Sequence, residues 1–181
     1  MEPWRTLSRE TLLERGKYLT VENHQVALPD GRVISDWPWV ITPDYVNVLA
    51  MMADGGFLCF RQTKYAVEGT SLAPVGGYID AGEGPLAAAQ RELMEEAGCQ
   101  AAEWVELGRY VVDGNRGVAT AYLYLALGAR QVAEADADDL EEMAPLRLSE
   151  EQLADALAAG AFKGLSWAMT VAQALLYIQQ H

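Results

Sequence analysis

The stretch Gly76–Cys99, "GGYIDAGEGPLAAAQRELMEEAGC", decides the fold of this chain. Pro85 suits a first helical position, where its missing N–H costs nothing, and Gly98 suits a stop, because glycine enters the left-handed region without a steric penalty. A helix is therefore predicted over residues 85–97. At about 100° per residue, Leu86, Leu93 and Ala97 fall within about 40° of one another and are expected to pack, while Arg91, Glu92, Glu95 and Glu96 share an arc of about 140° on the other side. Glu92 and Glu96 are like charges at i,i+4, Glu95 stands beside them, and all three oppose the helix macrodipole near its C-terminus. Such crowding is unfavourable on a bare helix. It suits a hard divalent cation, which takes carboxylate and carbonyl oxygens plus water, and the glycine-rich approach lets backbone come close to a ligand.

Outward from this helix, the chain reads as one compact domain with a small appendage. It has 181 residues, of which 51% are hydrophobic, enough to bury a sizeable core. No basic start followed by an apolar run marks an export signal, and the apolar runs are far shorter than the roughly 18 residues a membrane span needs. A cytoplasmic protein without a membrane partner is the expectation. Cys59 and Cys99 lie far apart and only His24 and His181 accompany them, so neither a disulfide framework nor a zinc site is indicated. The formal charge of −13 argues against nucleic acid, whose backbone is bound through basic stripes.

Turn chemistry organises the N-terminal two thirds. "KYLTVENHQVAL" and "RVISDWPWVI" flank Pro29-Asp30-Gly31, which predicts an N-terminal hairpin over residues 1–42 ahead of a main domain over 43–181. "YVNVLAMMA", "FLCFRQ", "WVELGRYVV" and "ATAYLYLAL" predict four strands of a central sheet. Two further helices are marked later, one by Ser149 and Gln152 at capping-box spacing with Gly160 as its stop, the other by "SWAMTVAQALLYIQQ". A β-rich core flanked by helices reads as α/β or α+β.

The spacing Gly77, Glu83, then Arg91-Glu92-Leu93-Met94-Glu95-Glu96-Ala97-Gly98-Cys99 is similar to the Nudix hydrolase signature over its whole length, with Cys99 where that family usually has a bulkier aliphatic residue. The resemblance implies an α/β/α sandwich around a mixed β-sheet, here with a small N-terminal antiparallel β-element. It also implies metal-dependent hydrolysis of a nucleoside diphosphate linked to another moiety. Glu92, Glu95 and Glu96 look like the metal-binding carboxylates and the Gly76 carbonyl a further ligand. Mg²⁺ is the implied ion, with Mn²⁺ as a substitute. Glu83 looks like a supporting acid placed to pair with Arg91. The general base is open between a box glutamate (Glu95 or Glu96) and an acid of "EADADDLEE", where Asp138, Asp139 and Glu141 are the candidates.

The segment Thr42–Gly69 and the hairpin before it resemble the ADP-ribose and nucleotide-sugar pyrophosphatases of that family, in which the N-terminal element takes part in a homodimer. The chain departs from that subgroup at Ala73, Val75 and Gly114. Because the protein is strongly acidic, a phosphate substrate needs local cations, for which Arg61, Lys64 and Arg116 are the candidates. Trp37 and Trp39 share one face of a predicted strand and are candidates to stack on a base. The expected partner is thus a small nucleoside diphosphate derivative. A nucleoside triphosphate pyrophosphohydrolase is the competing enzyme, and a non-catalytic nucleotide-sugar-binding module the competing binding function.

Overall fold

A computed structural model describes residues 1–136 and 142–181 of the chain. They form two compact units, one of residues 1–44 and 110–120, the other of residues 45–109 and 121–181. Asp138, Asp139 and Glu141 lie outside the described residues.

The first unit is built on β1 (Arg5–Arg15), β2 (Leu19–Ala27) and β3 (Val33–Ile41), paired antiparallel in sequence order. The predicted hairpin is β2 and β3, and β1 makes it a three-stranded element. β1 carries no sequence signal of a half-buried strand because all its residues are exposed, so its polar and apolar side chains follow no inside–outside alternation. Beside buried Val26 and Ala27, the interior of this unit holds aromatic and polar groups. His24 is buried, stacks on Trp39 with centroids 5.1 Å apart, and places Nε2 2.7 Å from Glu22 Oε2. Trp4 meets Trp37 edge to face at 5.1 Å.

The second unit carries the hydrophobic core. Its strands are β4 (Tyr45–Met52), β5 (Phe57–Lys64), β6 (Val67–Ala73), β7 (Val75–Tyr78), β8 (Cys99–Gln100) and β11 (Met143–Leu148), together with the greater parts of β9 (Glu103–Asp113) and β10 (Gly117–Gln131). β10 runs parallel to β4, whereas β5, β7 and β11 pair antiparallel with their neighbours, so the sheet is mixed. The helices among the described residues are α1 (Pro85–Ala97), α2 (Glu150–Ala158) and α3 (Leu165–Gln180).

Strand alternation divides this core into two layers. Val46, Val48 and Ala50 of β4 join Leu58 and Phe60 of β5 and Tyr124 and Ala126 of β10 against Ala88, Ala89 and Leu93 of α1. Leu49, Phe57, Cys59 and Leu125 point the other way, against Leu153 of α2 and Val171, Ala174 and Leu175 of α3. This is the expected α/β/α arrangement. At α2 the predicted capping box is present, with Gln152 N–H donating to Ser149 Oγ and Ser149 N–H to Gln152 Oε1.

Helix α1 is corrected in its facing. Leu86, expected to anchor it, is 42% exposed, and the buried residues are Ala88, Ala89, Glu92 and Leu93. Two small alanines let the helix axis approach the sheet closely, which rotates the seam toward Glu92 and Glu96 and carries Leu86 to the rim. Glu92 and Glu96 are thus turned toward β7, while Glu95 stays exposed.

Candidate active site

The site is assembled at the junction of β7, the loop after it, and α1. Gly98 ends α1 in the left-handed conformation at φ 60°, with its N–H donating to Met94 O at 2.8 Å. A second constraint holds there, because a β-carbon on Gly98 would collide with Ala133 O. The segment after β10 is laced to this helix end. Val132 N–H and Ala133 N–H donate to Gly98 O at 2.8 and 3.1 Å, and Asp136 N–H donates to Glu95 O at 2.9 Å. Carbonyls that a helix C-terminus leaves without partners are satisfied by those amides.

Arg91 is the organising cation, and all five of its N–H groups are used. Nε and Nη2 donate to the two oxygens of Glu83 at 3.0 and 2.9 Å, a bidentate pair. Nη1 donates to Glu92 Oε1 at 2.7 Å and to Glu95 Oε2 at 2.9 Å, and Nη2 also donates to Tyr78 O at 3.0 Å. The guanidinium is consequently held more strongly protonated than usual, chiefly through Glu83. In return, the Arg91 hydrogen bonds hold the Glu83 carboxyl below the usual carboxylate range, helped by the Asp80 N–H at 3.1 Å.

The two glycines of β7 make room for the acids of α1. A β-carbon on Gly77 would stand inside the Glu92 carboxylate, and one on Gly76 would lie 2.6 Å from Val46 O and 2.7 Å from Asn47 Oδ1. Gly76 N–H donates to Glu96 Oε2 at 3.2 Å. Beside them, Asn47 is 3% exposed and its Nδ2 has no hydrogen-bond partner among the described residues.

Among the described residues, no three His, Cys, Asp or Glu side chains are gathered as a preformed ion cage. Glu92 and Glu95 turn to Arg91, and Glu96 turns to the Gly76 amide. The donor set nevertheless fits a hard divalent cation. Three carboxylates, those of Glu83, Glu92 and Glu95, bind one guanidinium, Glu96 accepts from the Gly76 amide, and carboxylate oxygens are the ligands Mg²⁺ or Mn²⁺ prefers.

The other sequence candidates are distributed differently. Arg61 is exposed on β5 and alternates with Phe57 and Cys59, on the face opposite to Leu58, Phe60 and α1. Lys64 ends the same strand and is half-buried. Arg116 belongs to the first unit, where its N–H donates to Asp113 Oδ1 at 3.0 Å and Nη1 lies 3.4 Å from Oδ2. Trp37 and Trp39 are in the same unit and already engaged. Trp37 Nε1 donates to Asn115 O at 2.8 Å, and the Trp39 ring covers Gly117, where a β-carbon would overlap it.

A cavity of about 370 Å³ adjoins the C-terminal end of α1, with Glu96, Ala97 and Cys99 on one side and Pro145 and Arg147 of β11 on another. Burial pushes the Cys99 thiol up, and Arg147 nearby offsets part of that. Sequence reasoning passed over this far wall because "MAPLRL" is a short strand interrupted by proline. Its alternation of Met143, Pro145 and Arg147 on one face was the available signal.

Comparison with known proteins gives a consistent set. Residues 42–168 match the family described as "NUDIX domain", and residues 4–40 match "Nucleoside diphosphate sugar hydrolase N-terminal domain". The chain is 27% identical over 153 residues to the ADP-ribose pyrophosphatase of Bacillus subtilis (strain 168), covering 84% of this chain and 80% of that protein. It also superposes on the structure titled "Crystal structure of ADP compounds hydrolase" with a TM-score of 0.81 and 19% identity, covering 99% of this chain and 96% of the other, which is a likeness of fold.

Proposed function

This chain belongs to the NUDIX family, and on that premise we propose that it is a divalent-metal-dependent pyrophosphatase that hydrolyses ADP-ribose or a related nucleotide sugar to a nucleoside monophosphate and a sugar phosphate. The observation that carries this reading is the face of α1 on which Glu92 stands against Gly77 and Glu96 against Gly76, with Arg91 joining Glu92 and Glu95 to Glu83. The match of residues 4–40 to a nucleoside diphosphate sugar hydrolase N-terminal domain supports the substrate class over a triphosphate.

Glu92, Glu95 and Glu96 would hold the metal, together with the Gly76 carbonyl. When bound, Mg²⁺ or Mn²⁺ supplies charge neutralisation for the diphosphate and lowers the pKa of a coordinated water. The chain's own contribution is positioning. Arg91 ties Glu92 and Glu95 to Glu83, so the acids that would hold the metal share one frame and would turn from it toward the ion on binding. The proton of the attacking water goes to a carboxylate, either Glu95 or Glu96 of the helix or Asp138, Asp139 or Glu141 downstream. What supports the second group is Asp136, two positions before Asp138 in the sequence, whose N–H donates to Glu95 O.

For the substrate's other parts we assign Lys64 and Arg116 to phosphate or sugar contacts, Arg61, on the face of β5 away from α1, to the sugar end, and Trp37 and Trp39 to the base. We assign residues 1–42 as the dimerisation arm of a homodimer, ahead of a hydrolase domain over 43–181. The proposed setting is cytoplasmic, with no nucleic-acid or membrane partner. No helix among the described residues is long and apolar enough to cross a membrane.

The experiment is a hydrolysis screen with Mg²⁺ over ADP-ribose, nucleotide sugars, dinucleoside polyphosphates and nucleoside triphosphates, with Glu96→Gln as control. Turnover of ADP-ribose or a nucleotide sugar that requires the ion and is lost in Glu96→Gln is expected. No turnover on any compound would remove the enzyme reading in favour of a binding module. A preference for triphosphates would transfer it to the competing hydrolase.

A further inference from the structure

We propose that Arg147 is a substrate-binding residue that holds one phosphate of the diphosphate in the cavity it shares with Glu96. This rests on the hydrolase reading above and adds a residue to it.

The cavity brings together groups from three separate parts of the chain. Glu96 comes from α1, Leu58 and Phe60 from β5, and Pro145 and Arg147 from β11. The β5–β11 register sets Pro145 opposite Phe60 and Arg147 opposite Leu58. Directly paired residues of an antiparallel ladder share a face. Leu58 and Phe60 lie on the α1 face, so Arg147 does too.

A phosphate entering this space meets strong negative charge. Glu95 and Glu96 stand at the C-terminal end of α1, and that last turn contains no basic residue. Arg91 cannot compensate, because its five N–H groups are committed to Glu83, Glu92, Glu95 and Tyr78 O. Arg61 lies on the opposite face of β5. Among the described residues that line the cavity, Arg147 is the one cation.

Arg147 is also easy to recruit. Its recorded ion pair is a long one, with Nη1 3.9 Å from Asp54 Oδ1, and the Asp54 side chain is 79% exposed. An exposed pair of that length contributes little, so a phosphate can replace it at small cost. The planar guanidinium matches phosphate oxygens two at a time, and the apolar wall of Leu58, Phe60 and Pro145 strengthens the contact by excluding water.

The test uses the full chain, as wild type, Arg147→Gln and Arg147→Lys, with thermal melts to confirm that each is folded. AMP and ribose 5-phosphate, the two halves of a cleaved ADP-ribose, are titrated into each protein by calorimetry in Mg²⁺ buffer. Arg147→Gln is expected to weaken one of them by about tenfold to hundredfold, the range for a lost charge-assisted hydrogen bond. Arg147→Lys should recover part of that loss. The compound affected identifies which half of the substrate carries the bound phosphate. Equal affinities in wild type and Arg147→Gln, or no binding of either compound by the wild type, overturn the assignment. Product binding needs no turnover, so this result stands apart from the hydrolysis screen. Where the screen succeeds, KM should rise with the same fold-change.

Discussion

Gly77 and Glu92 compete for one space, since the carboxylate of Glu92 lies where a β-carbon of Gly77 would have to stand. The side chain of Glu92 is 12% exposed and fixed by Arg91, so it has little freedom to move aside. Gly77→Ala is therefore expected to push Glu92 out of line and to lower kcat/KM by about tenfold to hundredfold, as loss of a ligand-orienting contact does. Steady-state kinetics at saturating Mg²⁺ checks this. An unchanged kcat/KM would mean that Glu92 does not need its present position.

The Glu83–Arg91 pair gives a signed pH dependence. Bonds from Arg91, and then from the Asp80 amide, hold the Glu83 carboxyl below its ordinary value of 4.5. A depressed folded-state value stabilises the fold above the unfolded-state pKa, and that stability is lost as pH falls through the folded-state value. Urea midpoints of wild type and Glu83→Gln should thus differ most at neutral pH and converge on acidification below pH 4.5. A difference that persisted unchanged at pH 2 to 3, about two units below a free carboxyl, would assign the loss to packing rather than to charge.

Burial pushes the Cys59 thiol up to about 12, and the residue is fully enclosed between β5 and the α2–α3 layer. At pH 8 only about one molecule in ten thousand carries the reactive thiolate, and access is closed as well. Iodoacetamide should leave Cys59 unmodified in the native protein and alkylate it in urea, read by peptide mass spectrometry. Rapid native labelling would show that this layer opens.

The capping box of α2 can be tested on stability alone. Ser149→Ala removes the acceptor for Gln152 N–H and should cost about 1 kcal/mol. The effect reaches the core through Leu153, which is fully buried one turn into the helix. Thermal unfolding of the variant against wild type provides the measurement, and an unchanged melting temperature would show that the box contributes nothing net.

Local chemistry made α1 and α2 legible. Pro85 and Gly98 bound the first, and Ser149 with Gln152 opens the second, all through contacts within a few residues. The tilt of α1 was not legible, because it depends on Ala88 and Ala89 meeting β4 and β7 closely, and only tertiary packing distinguishes them from Leu86. β1 was hidden by its full exposure. Within the site, the acids and arginine of one helix could be gathered from spacing. The far wall could not, since Arg147 reaches Glu96 only through a β5–β11 pairing of residues more than eighty positions apart.

The lacing of the chain after β10 has a further consequence for engineering. Asp136 is pinned to Glu95 O, and Met143 is pinned opposite Gln62 in the sheet. These two anchors define graft points, between which the intervening sequence can be exchanged or lengthened while the helix end and the sheet edge keep their own bonds. Doubling the length of a flexible insert costs only about 0.6 kcal/mol in closure entropy. Swapping residues 137–142 between relatives would thus leave both anchors, and with them the end of α1, unchanged.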